Sequence, residues 1–286
     1  MYRPLYLLGN AGKGNRVLTT KALSGGLMNI DYLLILIVLL SFLFLATRTS
    51  VSSNKEFFVL SKSQKTVTLS LSFFASGMGI WILTSPAEVG WYGLGPDVYG
   101  YALSAATPFL LLYFIGPKIS SIIPNGTTLA EFISIKYGKS AQILTSIVAT
   151  IYMGAFLVAE FASIGLFVET LFSVSGLVVS ILVGFTTLVY LFRSGFKASL
   201  KTDLFQGIAI IIILLLLIAF WLIESGAENL MSFAAAGGMT SSSSFSIKSA
   251  LAVILAVTAA EIFSQGYWQR TFSAEKESSL KAACIF

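Results

Sequence analysis

Long apolar runs separated by short polar stretches organise this chain. They predict seven helical spans: Asp31–Thr47, Val67–Trp91, Val98–Pro117, Ser140–Phe172, Val174–Phe192, Asp203–Ile223 and Ser249–Trp268. An eighth begins at Ser279 and is cut at Phe286. The runs are too long and too evenly apolar for the alternating strands of a membrane β-barrel, so the expected class is an all-α integral membrane protein. Span four is longer than a bilayer requires and is expected to tilt or protrude. Between spans three and four, "TTLAEFISIK" (127–136) sets Leu129, Phe132, Ile133 and Ile135 at helical spacing, which predicts a short amphipathic helix on the membrane surface. Between spans six and seven, Glu224–Lys248 carries the run Ser241–Ser244 and reads as a solvated linker.

Composition agrees with the pattern. Hydrophobic residues make up 56% of the chain and charged residues 11%, against about 25% charged in a typical soluble domain. The net charge of +5 is placed unevenly. Arg48, Lys55, Lys62 and Lys65 follow span one; Lys118, Lys136 and Lys139 follow span three. Arg193, Lys197 and Lys201 follow span five, and Arg270, Lys276 and Lys281 follow span seven. The alternate loops hold only Lys248. This asymmetry is a topology signal rather than a nucleic-acid patch, and it puts the N-terminus outside. The expected partner surface is the lipid bilayer, in the plasma membrane or a bacterial inner membrane. On the inner side the sequon Asn125-Gly126-Thr127 would stay unmodified. Residues 1–30 hold Arg3, Lys13, Arg16 and Lys21 and no acid; they read as a disordered basic tail. Cys284 is the single cysteine, so no internal disulfide forms, and the absence of histidine removes His-based catalysis and His zinc sites. With no carboxylates paired at helical spacing within one span, no enzyme is expected and no organic cofactor.

The candidate chemistry lies where polarity or glycine enters an apolar span. In "SLSFFASGMGIWILTSP" (70–86) the stretch Ala75-Ser76-Gly77-Met78-Gly79 weakens a helix that should be strong. Gly77 lies ten residues into the span, roughly 15 Å deep at about 1.5 Å per residue, halfway through a core of about 30 Å. Carbonyls freed at that depth need substitute partners, and a small hard cation is one. Ser76, Gly77 and Gly79 would make the break, and the Ala75 and Met78 carbonyls would face sodium. Close packing is the other reading, since Ser72/Ser76 and Ala75/Gly79 are small-xxx-small pairs. Pro86 predicts a kink above the break. Gly100/Ser104 and Ala102/Ala106 in span three read as packing.

Glu160 in span four and Glu261 in span seven are intramembrane acids and functional candidates for that reason; Glu88 can reach interfacial water. Thr258, Glu261, Ser264, Gln265 and Gly266 give span seven a polar face, with Glu261 and Gln265 the candidates for a solute cavity. Thr202 or Asp203 is expected to cap span six, while Asp203 with Gln206 one turn on would line an inner path. Tyr267 and Trp268 are expected in the interfacial belt, with Arg270 extended to the inner surface.

The segments "FFASGMGIWILTSPAEVG", "TTLAEFISIKYG", "FRSGFKASLKTDLFQG" and "FSQGYWQRTFSAEK", in this order, resemble the sodium:solute symporter family over residues 31 to 286. The details look most like the branch around fungal and plant urea–polyamine carriers. The resemblance implies a LeuT-type inverted-repeat bundle preceded by one extra helix. Span one would be that helix, spans two to six the first repeat, and span seven the start of the second, with spans two and seven discontinuous. It implies that Ala75 and Met78 donate carbonyls to the coupling sodium. Gly77 departs from the proline carriers, which have aspartate there. Gln265, Gln269 and Arg270 match the motif that ends the seventh span, and Asp203 and Gln206 the one that opens the sixth.

The family's bundle has roughly twice these spans, and a helix of its second repeat completes the sodium site with hydroxyls. Residues 31–286 are therefore expected to be an incomplete symporter domain that does not transport alone. The expected function is sodium-coupled import of a small polar organic solute such as urea or an amino acid. A membrane sensory module on the same fold is one alternative. A proton-coupled carrier using Glu160 or Glu261 is another.

Overall fold

The computed structural model describes residues 30–49, 51, 53–60, 62–83, 85–92, 95–172, 174–236 and 243–286. The expected basic tail up to residue 29, and Ser241 and Ser242 of the serine run, lie outside them. The helices are α1 (Ile30–Thr47), α2 (Asn54–Phe58), α3 (Thr66–Gly77), α4 (Ser85–Tyr92), α5 (Asp97–Ile122), α6 (Leu129–Tyr137), α7 (Lys139–Leu171), α8 (Gly176–Ala236), α9 (Ser244–Glu261), α10 (Gln265–Ser273) and α11 (Glu277–Ala283). A 3₁₀ turn, Ile80–Leu83, stands between α3 and α4. The protein is all-helical among the described residues apart from a lone bridge between Gln64 and Ala274. Among the described residues, four stretches are long and apolar enough to cross a bilayer: Asp97–Ile122, Lys139–Leu171, Gly176–Glu224 and Ser244–Glu261. Ile30–Leu45 and Thr66–Gly77 are shorter apolar helices.

At 61 residues, α8 would run for about 90 Å, three times the apolar thickness of a bilayer, so it cannot be one span. It is interrupted at Gly195 (φ 51°, ψ −139°) and Gly226 (φ 72°, ψ 154°). Only glycine suits Gly195. Its backbone is left-handed, and a Cβ there would lie 2.2 Å from the Phe57 carbonyl oxygen of α2. The structure thus corrects the expected inner loop at Arg193–Lys201, which is helical on both sides of this kink. The expected outer linker is also shorter than its composition suggests. Helix continues to Ala236, and Ser243 caps α9 by accepting the Ser246 amide (3.1 Å) while the Ser246 hydroxyl takes the Ser243 amide (2.9 Å).

The most extensive pairing sets α9 against α5. Small residues permit it: a Cβ on Gly100 would lie 2.7 Å from the Ala250 Cα, and Thr107 and Thr258 share a hydroxyl–hydroxyl bond of 2.5 Å. Gly100 and Ser104 are buried as their spacing predicts, whereas Ala102 and Ala106 face outward. The main core gathers Leu69 and Phe73 of α3, Leu112 and Ile119 of α5, Leu129 of α6, Trp268 and Phe272 of α10, and Leu280 of α11. The amphipathic helix appears as α6. Thr128 caps it by accepting the Glu131 amide (3.1 Å), Glu131 accepts the Thr127 amide (2.9 Å), Leu129 is buried and Ile135 stays outside.

Candidate functional site

Besides the kinked α8, two helical spans are interrupted among the described residues, and they meet. α3 ends at Gly77. Met78 and Gly79 are non-helical, and the chain resumes as the Ile80–Leu83 turn. Ser76 is the penultimate residue of α3, and its hydroxyl donates to the Phe73 carbonyl at 3.0 Å. Across the gap the Met78 amide reaches the Ala75 carbonyl at 3.3 Å, a long bond that leaves that oxygen a free lone pair. Among the described residues no hydrogen bond occupies the Met78 carbonyl. The Ile80 amide donates to Glu160 Oε2 of α7 at 3.0 Å. Glu160 Oε1 is buried and has no hydrogen-bond partner among the described residues.

The second interruption, Ile262–Ser264, separates α9 from α10. Its backbone is closed from within the segment. The Phe263 and Ser264 amides donate to Ala260 and Glu261, each at 3.0 Å, and the Tyr267 amide to Ser264 at 3.1 Å. The Trp268 indole N–H donates to the freed Ile262 carbonyl at 2.7 Å. Tyr267 binds the two interruptions together: its ring packs on Phe73 and Phe109, and a Cβ on Gly77 would lie 3.2 Å from its hydroxyl.

A cavity of about 580 Å³ opens beside both interruptions. Ser76, Tyr152, Phe156, Glu261, Ser264, Gln265, Gln269 and Arg270 are among its lining residues. The Tyr152 hydroxyl faces the Glu261 carboxyl. Gln265 donates from Nε2 to the Thr127 carbonyl (3.0 Å), tying the start of α10 to the segment before α6, and Gln269 donates to the Phe58 carbonyl (3.1 Å). The structure therefore brings Ser76, Glu261 and Gln265 to one space. Ala75 is buried, and Ala75, Gly77, Met78 and Gly79 are absent from the lining. Glu88 is exposed on α4.

Asp203 lies elsewhere than its expected cap. Helix precedes it, and the Thr202 hydroxyl donates back to the Ala198 and Ser199 carbonyls, so neither residue starts a helix. Asp203 is 7% exposed and pairs with Arg270, 4% exposed, at 2.5 Å. Arg270 Nε donates to the Ser72 hydroxyl (2.7 Å), which donates in turn to Asp203 Oδ2 (2.5 Å), and Arg270 Nη1 donates to the Gly266 carbonyl (2.8 Å). The surface positions expected for Tyr267, Trp268 and Arg270 are thereby corrected: all three are buried. A guanidinium can leave water when a carboxylate, a hydroxyl and a carbonyl receive its planar donors together.

Comparison with known proteins bears on this arrangement. The sodium:solute symporter family profile matches residues 57–283. The chain belongs to that family. Over 255 residues it is 29% identical to the spermidine transporter DUR31 of Candida albicans, an alignment that covers 88% of this chain and 47% of that protein. The chain thus spans about half the length of the curated relative it matches. Membership of a symporter family makes it an integral membrane protein of a carrier family, not of an enzyme family.

In this sodium:solute symporter sequence, residue order leaves Ser72, Arg270 and Tyr152 without their roles and Glu160 without its partner. Ser72 reads only as a small packing residue, and Arg270 as a surface cation. Tyr152 carries no signal of its own. Glu160 stands out as an intramembrane acid, but nothing near it in sequence names the Ile80 amide, eighty positions earlier. One signal was available: Tyr152, Phe156 and Glu160 lie at i, i+4 and i+8, one face of one helix.

Proposed function

We propose that the chain forms the first repeat and the start of the second in a LeuT-type inverted-repeat carrier, and that the protein imports a small organic cation together with sodium. Both interrupted helices lie at corresponding places in their repeats on that reading, which is where such carriers bind substrate and ion. The observation that carries the proposal is the cavity at the junction of the two interruptions, with Glu261, Gln265 and Ser76 in its wall.

The Ala75 and Met78 carbonyls are the proposed sodium ligands. One is half occupied and the other takes part in no hydrogen bond among the described residues, so both keep lone pairs for a cation that prefers oxygen. Their neutrality suits an ion that must also leave. Glu261 supplies charge for a cationic solute, and Gln265 neutral donors and acceptors. A spermidine transporter among the relatives supports a cationic solute over a neutral one. Asp203 belongs on this reading to the inner path, where release requires its bonds to Arg270 and Ser72 to rearrange. The proposed location is the plasma membrane, or the inner membrane in a bacterium, with the N-terminus outside, as the loop cations indicate.

Uptake of labelled spermidine by vesicles carrying the full-length protein tests this. Uptake is expected to stop when N-methylglucamine replaces sodium and to survive collapse of the pH gradient. Uptake that ignores sodium but follows the pH gradient would transfer the coupling to a proton.

A further inference from the structure

Glu160 is an intramembrane carboxylate whose two oxygens differ sharply. Oε2 accepts the Ile80 amide at 3.0 Å, which fixes the carboxyl group beside the interruption of the α3 span. Oε1 is buried and meets no donor. A buried carboxyl oxygen left without a partner at membrane depth is costly and calls for an explanation, of which a bound ligand is one. Glu160 is not itself among the lining residues of the cavity, and the wall on its side is aromatic. One turn before Glu160 on the same face of α7 stands Phe156, and two turns before it Tyr152; the two rings lie 6.4 Å apart, and both line the cavity. Aromatic faces followed by a carboxylate suit an organic ammonium, which gains cation–π attraction along its path and gives N–H donors at its end.

We propose that Glu160 Oε1 binds a protonated amine of the transported solute. The inference rests on the function proposed above and names a residue that reading does not use. Eight residues of helix separate Tyr152 from Glu160, about 12 Å of rise, and Glu261 faces Tyr152 at the near end. A linear solute with an ammonium at each end matches that rise, and because Glu160 itself does not line the cavity, reaching it requires the Phe156 side of the wall to give way.

Footprinting the wild-type full-length protein tests the proposal without a variant. A hydrophobic carbodiimide labels membrane carboxyls, and mass spectrometry reads the label at Glu160 and Glu261 separately. Spermidine is expected to protect Glu160, whereas urea or sodium alone leaves it open to label. Protection by sodium alone would make Glu160 an ion ligand and overturn the proposal, and so would labelling unchanged by spermidine. Direct binding of labelled spermidine gives the second measure. Glu160→Gln is expected to weaken it roughly ten- to a hundredfold, the worth of a hydrogen bond to a charged group, with the sodium dependence unmoved. Glu160→Asp, which keeps the charge on a shorter arm, is expected to fall between. If wild type binds spermidine and neither variant changes its affinity, Glu160 has no such role while the carrier reading stands. If wild type binds no spermidine at all, both fall together.

Discussion

The two interrupted helices solve the same problem in opposite ways. At Ile262–Ser264 the segment closes on itself: its own amides turn back, the indole of Trp268 fills the freed Ile262 carbonyl, and Arg270 fills that of Gly266. At Met78–Gly79 part of the help comes from outside. The Met78 amide turns back to Ala75 and the Ile82 amide to Gly79, but Glu160 on a different helix takes the Ile80 amide, and carbonyl capacity is left over. The surroundings differ too. α10 has Tyr267, Trp268, Arg270, Thr271, Phe272 and Ser273 buried, with Gln269 half-buried between them, while the Met78–Ile80 stretch is half-buried throughout. Inside a membrane every backbone group needs a partner. A break that supplies its own partners is scaffold, and a break that leaves them out is a place for a ligand. On that reasoning the α9–α10 interruption shapes the cavity, and the α3 interruption is the proposed place for the ion.

The severest way to break this comparison is to remove the ion pair under the second interruption. Arg270→Ala leaves Asp203 charged and buried, and the expected loss is about 3–5 kcal/mol. Thermal melting of the detergent-solubilised protein reads it. Replacing both partners, Arg270→Met with Asp203→Leu, is expected to restore much of the loss, because no uncompensated charge remains. A single Arg270→Ala variant that melts with wild type would mean that water reaches this pair, and the α9–α10 break would no longer qualify as scaffold.

The sequence announced these elements unequally, and the reason is physical. The α3 interruption shows in residue order because glycine flanks Met78 on both sides in an apolar run, and that defect is local. At Ile262–Ser264 the residues alone show only a polar face; the discontinuity followed from the family resemblance, since the bonds that hold it come from side chains further along. The buried triad was misread for the same reason. A cation near the end of a span looks like a surface residue until its partners are known, and Asp203 and Ser72 stand 67 and 198 positions from it. Asp203 invited reading as a cap because the polar stretch before it resembles a loop, yet Gly195 alone makes the turn there, and helix resumes well before Asp203. Charge asymmetry and apolar length, summed over many residues, read out the spans far better than any single contact.

A smaller intervention isolates the self-closing bond. Trp268→Phe keeps an aromatic ring in a site that is 1% exposed but deletes the donor to the Ile262 carbonyl. The expected cost is about 1–3 kcal/mol, the penalty for a buried group left unpaired, read as a lower melting temperature. The variant converts the second interruption into one like the first, with a carbonyl left open. Sodium is expected to raise the melting temperature of wild type and variant by the same increment, because its proposed ligands lie in the other span. A larger sodium increment in Trp268→Phe would show that any open carbonyl here attracts the ion, and would erase the distinction between the two breaks.

The smallest effect sharpens the comparison most, because it asks whether the two interruptions feel each other. Gly77→Ala adds helix propensity worth about 1 kcal/mol at the end of α3, but its Cβ would meet the Tyr267 hydroxyl at 3.2 Å. The two effects oppose, so the single variant is expected to melt close to wild type. Tyr267→Phe keeps the ring contacts with Phe73 and Phe109 and removes the obstructing oxygen. In that background Gly77→Ala is expected to stabilise by about 1 kcal/mol, giving a coupling of about 0.5–1 kcal/mol between residues 190 positions apart in sequence. Additive effects would mean that α10 merely stands near the first gap. Coupling means that the rigid break limits how far the open one can close, so that a solute displacing Tyr267 would alter the Ala75–Met78 carbonyls without touching them.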